Sequence, residues 1–241
     1  MKISVVVPCH NEAENLSRLV PGLKKALHTH LHEVIAINAQ STDNTQQVGE
    51  ALQKQHSFFR IIQSSSGVGH ALRAGYTAAS GEWILSIDCD FLRNMDHFML
   101  LVNKAQEGYD MVIGSRYMPG GQLIGYPPFK KFANRVYHGV VRTMLGIRGN
   151  DLTNNFKLMR LEIAQHLPSI EAHFAVNAET GIYPYLMGYK ITEVPVPWIQ
   201  RDFGGSKFST MKLSVSYARV FARAVMLKVS GTLRRNSQKK K

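Results

Sequence analysis

Short apolar runs alternate with stretches of helical spacing along the first half of the chain. In the first helical stretch, apolar side chains recur three or four positions apart and would share one helix face: Leu16, Leu19, Val20, Leu23 and Leu27. Pro21 inside this stretch predicts a kink or an early break. The apolar runs are nearly continuous, which is typical of strands buried on both faces of a parallel sheet. The predicted strands are 3–8, 33–39, 58–64, 82–88 and 109–115. This order predicts an α/β fold with a mostly parallel central sheet.

The pattern is less regular in the second half of the chain. A Gly- and Pro-rich loop at 118–128 leads to a basic helical segment at 129–145. Two shorter strands are predicted at 151–160 and 189–201, with a helix between them. We interpret this part as a second half of the same domain, built to receive a second substrate.

Polar segments follow four of the predicted strands, at 8–12, 38–45, 64–75 and 88–90. In a parallel sheet the carboxyl ends of the strands form one rim, where ligands bind. Gly67, Gly69 and Gly75 would let the backbone approach a ligand closely, and a helix beginning near Gly69 would offer free N–H groups to an anion. A tight turn without a ligand is the alternative.

Asp88 and Asp90 stand at the end of an apolar run, in "ILSIDCDFLRN" at 84–94. Residues two apart in an extended chain point the same way, so the two carboxylates would lie side by side. A helix cap or surface turn is one interpretation. Because Mg²⁺ and Mn²⁺ accept carboxylate and phosphate oxygens together, we favour a metal that bridges to a diphosphate.

The ordered set of segments resembles the family 2 glycosyltransferases, closest to the dolichol-phosphate mannose synthases and other polyprenyl-phosphate sugar synthases. The resemblance implies a single Rossmann-like nucleotide-diphospho-sugar transferase domain (the glycosyltransferase A fold) at 1–208, with a nucleotide-sugar half at 1–115 and an acceptor half at 116–208. The matching segments are "VVVPCHNEAENL" (5–16), "STDNT" (41–45), "GVGHALRAG" (67–75), "GEWILSIDCD" (81–90), "GSRYMPGG" (114–121), "DLTNNFKLMR" (151–160), "GYKITEVPV" (188–196) and "RDFGGSKF" (201–208).

The resemblance also implies roles for individual residues. Nucleotide-sugar binding is expected at Pro8, Asn11, Glu12, Asn38, Gly67, Gly69 and Asp88. Asp88 and Asp90 would hold Mg²⁺ or Mn²⁺. Asp90, Arg116, Arg201 and Lys207 are the catalytic candidates, the three basic residues lying near the donor diphosphate or an acceptor phosphate. As alternatives, Glu12 could be an acid at a helix start and Arg201 a solvated charge.

Three sites depart from the family pattern. Asn38, Ala39 and Gln40 stand where the family usually has two acids and a Gly, so donor choice between GDP- and UDP-sugars stays open. Leu92 replaces a Gln that adds a metal contact in the mannose synthases, and a leucine cannot ligate. Asn155 replaces a common Gly, which is a milder change because Asn tolerates left-handed backbone angles. A non-catalytic protein that keeps the fold is therefore a second hypothesis.

The acceptor is inferred from the chemistry of deprotonation. Transfer to a sugar hydroxyl needs a general base, and the available acids are Asp151, Glu179 and Asp202, none of which the sequence places convincingly. A phosphate oxygen is already ionised at neutral pH. We therefore expect an inverting transferase that acts on a polyprenyl phosphate, with transfer to a glycan or small-molecule hydroxyl as the alternative.

Charge is concentrated at the end of the chain. Ten of the 29 Lys and Arg residues lie in 203–241, where there is no Asp or Glu, so the rest of the chain is nearly neutral. A basic amphipathic helix is predicted at 209–230, followed by a disordered basic tail at 231–241. Such a helix suits a membrane interface, or it packs on the domain with a solvated basic edge.

The remaining features bear on location and partners. Two cysteines, Cys9 and Cys89, suit a reducing cytosol, and the polar turn after the first apolar run argues against a signal peptide. We expect a cytoplasmic protein bound peripherally to the inner face of a membrane, with room for a membrane-protein partner. Nucleic acid is not expected, because no basic surface interleaved with aromatic residues is apparent.

Overall fold

A computed structural model of the protein describes residues 1–199 and 210–232. Its strands are β1 Ile3–Cys9, β2 Leu31–Asn38, β3 Phe59–Gln63, β4 Trp83–Ser86, β5 Met111–Ser115, β6 Gln122–Ile124, β7 Lys157–Arg160, β8 Ile191–Pro195 and β9 Pro197–Ile199. Its α-helices are α1 Ala13–Leu27, α2 Thr45–Gln55, α3 Val68–Ala78, α4 Phe98–Gln106, α5 Pro128–Leu145, α6 Leu161–His166, α7 Val176–Leu186 and α8 Thr210–Ser230. A 3-10 helix at Phe91–His97 precedes α4.

The central sheet has the strand order β3-β2-β1-β4-β7-β5-β8, and β6 pairs separately with β9. All neighbouring strands of the central sheet run parallel except β7, which is antiparallel to both β4 and β5. The predicted α/β fold with a mostly parallel sheet is confirmed. Its first five strands lie where the apolar runs placed them.

The sequence-based strands of the second half need correction. Of the predicted strand 151–160, only Lys157–Arg160 is extended into the sheet, because the polar residues before it form hydrogen-bonded loops. The predicted strand 189–201 is two strands, β8 and β9, which belong to different sheets. Strand β6 was not predicted, since its three residues lie in a Gly- and Pro-rich loop.

Alternation along β1 distributes the core over both faces of the sheet. Val5 and Val7 pack with side chains of α1 and α4, whereas Val6 packs with side chains of α3 and α6. Helix α1 continues through Pro21 to Leu27, so the expected early break is wrong. Buried leucines on both sides of the proline hold the helix against the sheet: Leu16, Leu19, Leu23 and Leu27.

A third apolar cluster joins α5, α7 and α8, with Val141, Ile182 and Val220 at its centre. The predicted C-terminal helix is therefore present as α8 and packs on the domain. Its basic edge is only partly solvated, because Arg223 lies 3.4 Å from the buried Glu179. None of the described helices is long and apolar enough to cross a membrane. The boundary predicted at 208 and the tail after residue 232 lie outside the described residues.

Candidate active site

The ends of β1 and β2 are joined by hydrogen bonds through Asn11. Its side-chain oxygen accepts the backbone N–H groups of Thr42 at 2.7 Å and Asp43 at 3.3 Å. Its own N–H donates to the Ser41 hydroxyl at 3.0 Å. Asn11 has a φ of 58°, a left-handed conformation that Asn adopts more readily than most residues. The loop "STDNT" is thereby fixed against the end of β1.

Glu12 and Asn38 occupy the same rim. The backbone N–H of Glu12 donates to Thr45 Oγ1 at 2.9 Å, and its carboxylate accepts from Asn15 at 2.6 Å. Asn38 is buried, accepts the Ser41 N–H at 2.9 Å and donates to Gln46 at 2.9 Å. The amide that replaces the family's acid thus shapes the turn after β2. Its contact with a nucleoside stays a prediction, as does that of Pro8 at the end of β1.

The glycines before α3 approach protein backbone. Gly67 has a φ of 111°, and a Cβ on Gly67 or Gly69 would overlap the carbonyl of Ala172 or Glu171, respectively. The Gly69 N–H donates to the Ala172 carbonyl at 2.8 Å. The expectation of a free N–H at Gly69 is therefore wrong, because the loop before α7 occupies it. Sugar-nucleotide binding at Gly67 and Gly69 is untested.

Asp88 and Asp90 lie just beyond β4, and both are half-buried. The side-chain amide of Asn155 donates to Asp88 Oδ1 at 2.9 Å, and its oxygen accepts the Ser86 hydroxyl at 2.7 Å. Asn155 therefore orients one carboxylate of the pair. Leu92 packs against the apolar core beneath.

The donor set fits a hard divalent cation that shares its coordination with phosphate. The described residues contain no cluster of three or more His, Cys, Asp or Glu side chains suited to hold a metal. Two carboxylates at a strand end leave most coordination positions to phosphate oxygens and water, as Mg²⁺ and Mn²⁺ accept. Asp88 and Asp90 are the residues that would hold such an ion.

Cys9 at the end of β1 and Cys89 just beyond β4 are in contact, so the ends of these two strands lie side by side. Both cysteines are free and buried. The Cys89 thiol donates a hydrogen bond to Cys9, which together with burial favours the protonated thiol and raises the pKa of Cys89. The segment at 8–12 therefore lies beside the paired carboxylates, as the rim predicted from the sequence requires.

Arg116 forms a buried ion pair with Asp151. Its Nε and Nη2 donate to the two carboxylate oxygens at 2.6 and 2.8 Å, and its backbone N–H donates to the same group at 3.0 Å. Burial raises the pKa of Asp151, but the Arg116 charge and hydrogen bonds outweigh it and lower that pKa to about 2. Asp151 is therefore a poor proton acceptor, and the phosphate contact expected of Arg116 stays a prediction.

Glu179 is also held by protein groups. Its carboxylate accepts the Ser169 hydroxyl at 2.6 Å and the N–H groups of Ile170 and Glu171 at 3.0 Å. Of the acids considered as a general base, two are thus hydrogen-bonded within the fold. The third, Asp202, lies outside the described residues, as do the catalytic candidates Arg201 and Lys207.

A cavity of about 850 Å³ lies between α5 and the loop after β5. Arg135, His138 and Arg142 of α5 line one side, and Tyr117 and Asn150 contribute to its lining. Burial lowers the pKa of His138 to about 4, so this imidazole is neutral at pH 7. The positive charge at the cavity comes from the two arginines. Tyr117 and Asn150 adjoin the paired Arg116 and Asp151, which places the cavity beside that ion pair.

Sequence reasoning missed several residues of this region. Lys157 is fully buried and donates to the Asn177 carbonyl and the Thr180 hydroxyl at 2.9 and 2.8 Å. Burial lowers its pKa to about 7. Arg135 and Arg142 belonged to a segment interpreted only as a basic helix. A seven-residue interval between two arginines, which places both on one helix face, was the available signal.

The fold and the polar rim are consistent with the class of nucleotide-diphospho-sugar transferases. The sequence model of Glycosyl transferase family 2 matches residues 4–167. This protein belongs to that family, and the resemblance noted from its motifs is confirmed.

Among curated relatives, the chain is similar to an undecaprenyl-phosphate 4-deoxy-4-formamido-L-arabinose transferase of Yersinia enterocolitica. The two are 28% identical over 220 residues, which is 88% of this chain and 64% of the relative. The protein of that name in Yersinia pestis matches equally well, with 28% identity over the same length. The chain therefore spans about two thirds of the length of these relatives.

Among solved structures, the chain resembles glucosyl-3-phosphoglycerate synthase from Mycobacterium tuberculosis in complex with UDP. The TM-score is 0.69 at 20% identity, covering 98% of this chain and 82% of the other. A second structure of that enzyme, with Mn²⁺, UDP-glucose and phosphoglyceric acid, gives a TM-score of 0.68 at 20% identity, with 95% and 80% coverage. At this identity the likeness establishes the fold.

Proposed function

We propose that the protein is an inverting glycosyltransferase that moves a sugar from a GDP- or UDP-linked donor to a polyprenyl phosphate. The acceptor assignment rests on one observation: the described acids of the acceptor half that could serve as a general base are already bound to other protein groups. Asp151 is paired with Arg116, and Glu179 accepts hydrogen bonds from the 169–171 loop. Neither carboxylate is free to take a proton from a hydroxyl. An acceptor phosphate is already ionised and needs no general base.

The relatives support the same acceptor class. The similar Yersinia proteins are named for undecaprenyl phosphate as the acceptor. A hydroxyl acceptor is less well supported, because the described acids that could serve as its general base are already hydrogen-bonded to other protein groups. A phosphorylated acceptor also agrees with the two arginines at the cavity, because guanidinium groups bind phosphate with charge-assisted hydrogen bonds.

Donor binding is assigned to the rim formed by the ends of β1, β2 and β4. Pro8, Asn11, Glu12 and Asn38 would contact the nucleoside, and Asp88 with Asp90 would hold Mg²⁺ or Mn²⁺. When bound, the cation neutralises charge on the leaving diphosphate. The resemblance to a structure containing Mn²⁺ and UDP-glucose is consistent with this assignment.

The reaction then needs alignment more than proton transfer. An acceptor phosphate oxygen attacks the sugar C1 on the face opposite the diphosphate, the bond between C1 and the diphosphate oxygen breaks, and the nucleoside diphosphate leaves. Arg135 and Arg142 would orient the acceptor phosphate. The ion pair between Arg116 and Asp151 would stabilise the cavity wall beside that phosphate. Single displacement inverts the configuration at C1. The expected location is the cytoplasmic face of a membrane, with the protein bound peripherally.

The decisive experiment supplies purified protein with Mn²⁺ or Mg²⁺, labelled UDP- and GDP-sugars, and undecaprenyl phosphate in detergent. We expect label in the lipid fraction for one donor, with inverted anomeric configuration by NMR. Asp88→Asn and Asp90→Asn should abolish transfer. Asp96→Asn is the matched control, because Asp96 is an exposed carboxylate in the 3-10 helix that follows.

The outcomes separate the hypotheses. No transfer from any donor, together with metal-dependent nucleotide binding, would identify a non-catalytic member of the family. Transfer to water-soluble glycans but not to the lipid phosphate would support the hydroxyl acceptor instead.

A further inference from the structure

Helix α5 exposes an apolar stripe, which contains five of the eleven large apolar side chains that are exposed among the described residues. The side chains of Phe129 and Phe132 are 70% and 68% exposed, and those of Val136, Val140 and Met144 are 49%, 43% and 57% exposed. These five residues, the α5 apolar stripe, recur at intervals of three or four and therefore lie along one face. The opposite face packs on the third cluster through His138, Val141 and Leu145. Contiguous exposed patches of this kind mark interaction surfaces.

The charges of α5 indicate what covers the stripe. The helix carries Lys130, Lys131, Arg135 and Arg142 and contains no Asp or Glu. An amphipathic helix with cations flanking an apolar face suits the surface of an anionic bilayer, where apolar side chains enter the acyl boundary and cations meet headgroups. With 18 residues and four cations, α5 is unsuited to cross the bilayer.

The position of the cavity agrees with a lipid partner. The α5 residues that line it include Arg135, Gly139 and Thr143, which lie beside the stripe on the same helix. If the stripe rests in the bilayer, the cavity faces the headgroup layer. A lipid-borne phosphate would then reach the arginines while its chain stays in the membrane.

We propose that the α5 apolar stripe docks the protein on an anionic lipid bilayer, so that α5 rather than α8 is the principal membrane-contacting helix. This proposal rests on the proposed function for its biological purpose. Helix α8 also exposes Val215, Met226 and Val229. It is less suited, because these include no aromatic side chain and because Val220 and Ala224 on its other apolar face are buried in the third cluster.

The first test measures sedimentation of the full chain with vesicles of equal parts phosphatidylcholine and phosphatidylglycerol, without donor or acceptor. Phe129→Ser with Phe132→Ser should weaken partitioning at least about tenfold, since two aromatic side chains lose apolar burial. Leu100→Ser on α4 is the matched control, because Leu100 is 42% exposed and lies outside the stripe. Measurement at about 1 M salt screens the contribution of the basic tail.

The second test locates the contact. Phe132→Trp should be quenched by brominated lipids, whereas Leu100→Trp should behave like the wild-type chain, whose own tryptophans provide the background. Circular dichroism and thermal unfolding check that each variant folds.

Each outcome is decisive for the docking proposal. Equal partitioning of the wild type and the double variant at high salt, or no quenching at Phe132→Trp, overturns it. A wild-type dimer in light scattering that the double variant makes monomeric also overturns it, since the stripe would then join two copies. Vesicle binding needs no turnover, so it can be measured whether or not the protein transfers sugar. A failed transferase assay with intact vesicle binding would therefore count against the proposed function alone.

Discussion

Asn155 connects two departures from the family pattern at the level of single residues. Leu92 removes a side chain that could ligate a metal, whereas Asn155 adds a hydrogen bond to Asp88. The two segments are neighbours, because the rings of Phe91 and Phe156 lie 4.4 Å apart. A donor to a ligating carboxylate fixes its orientation, and such partners are worth about 10- to 100-fold in metal affinity. If Asp88 holds a metal as proposed, we expect Asn155 to offset part of what Leu92 removes.

Asn155→Ala tests this role. We expect the Mn²⁺ concentration for half-maximal nucleotide binding to rise about tenfold, while nucleotide binding without metal is unchanged. Titration of Mn²⁺ against a fluorescent UDP or GDP analogue measures both quantities. Asn103→Ala, at an exposed position of α4, is the control for loss of an asparagine. An unchanged Mn²⁺ dependence would show that Asn155 serves only the fold.

At this scale, the sequence does not predict which charged residues pair with each other in the fold. Arg116 and Asp151 were both recognised as candidates, one for binding phosphate and one for taking a proton. Their ion pair joins residues 35 positions apart, and no local pattern encodes such a contact. Once paired, Asp151 is held as a carboxylate of low pKa, so it is a poor candidate for a general base. Lys157 was missed for the same reason, because its partners belong to a helix that is remote in sequence.

At the level of elements, the sequence was most informative where neighbours in the chain are neighbours in the sheet. Strand β1 pairs with β2, and β2 pairs with β3, so the local apolar runs and the helical spacing between them were sufficient. Strand β7 instead inserts antiparallel between β4 and β5, which depends on long-range register. Gly67 and Gly69 were interpreted as a close approach to a ligand, but their spacing does not distinguish a ligand from the 171–172 backbone that lies there.

Gly69→Ala tests that contact between elements. The added Cβ would overlap the Glu171 carbonyl, so α3 or the loop before α7 must shift. We expect the free energy of unfolding in urea to fall by about 2 kcal/mol or more. Gly139→Ala within α5 is the control, because its Cβ would meet nothing within 4 Å. That substitution should stabilise the protein by about 0.5–1 kcal/mol, as expected for Gly to Ala in a helix. Equal effects of the two substitutions would contradict the close approach.

At the level of the whole molecule, Lys157 links the central sheet to α7. It belongs to β7, and its amine donates to Asn177 and Thr180 of α7. The charges of Asp151 and Asp88 favour its protonated form, but burial outweighs them and lowers its pKa to about 7. The centre of the protein therefore contains an amine that titrates near neutrality in the folded state. An unfolded chain keeps that amine protonated to about pH 10.

This difference predicts how stability changes with pH. Between about pH 7 and pH 10 the unfolded state binds more protons at Lys157 than the folded state, so the free energy of unfolding rises with pH. Below about pH 7 both states are protonated, and the cost of burying the charge is constant. Between pH 7 and pH 9, wild type should gain about 2 kcal/mol relative to Lys157→Met. Urea unfolding at each pH measures the difference.

The comparison with Lys157→Met isolates this one group, since histidines, cysteines and other lysines titrate in both proteins. Lys54→Met, at an exposed position of α2, should show no pH-dependent difference from wild type. A difference between wild type and Lys157→Met that stays flat from pH 6 to about pH 9 would mean that the buried amine remains charged. In that case the negative charge of Asp151 and Asp88 would dominate over burial, and a permanent positive charge at β7 would join the sheet to α7.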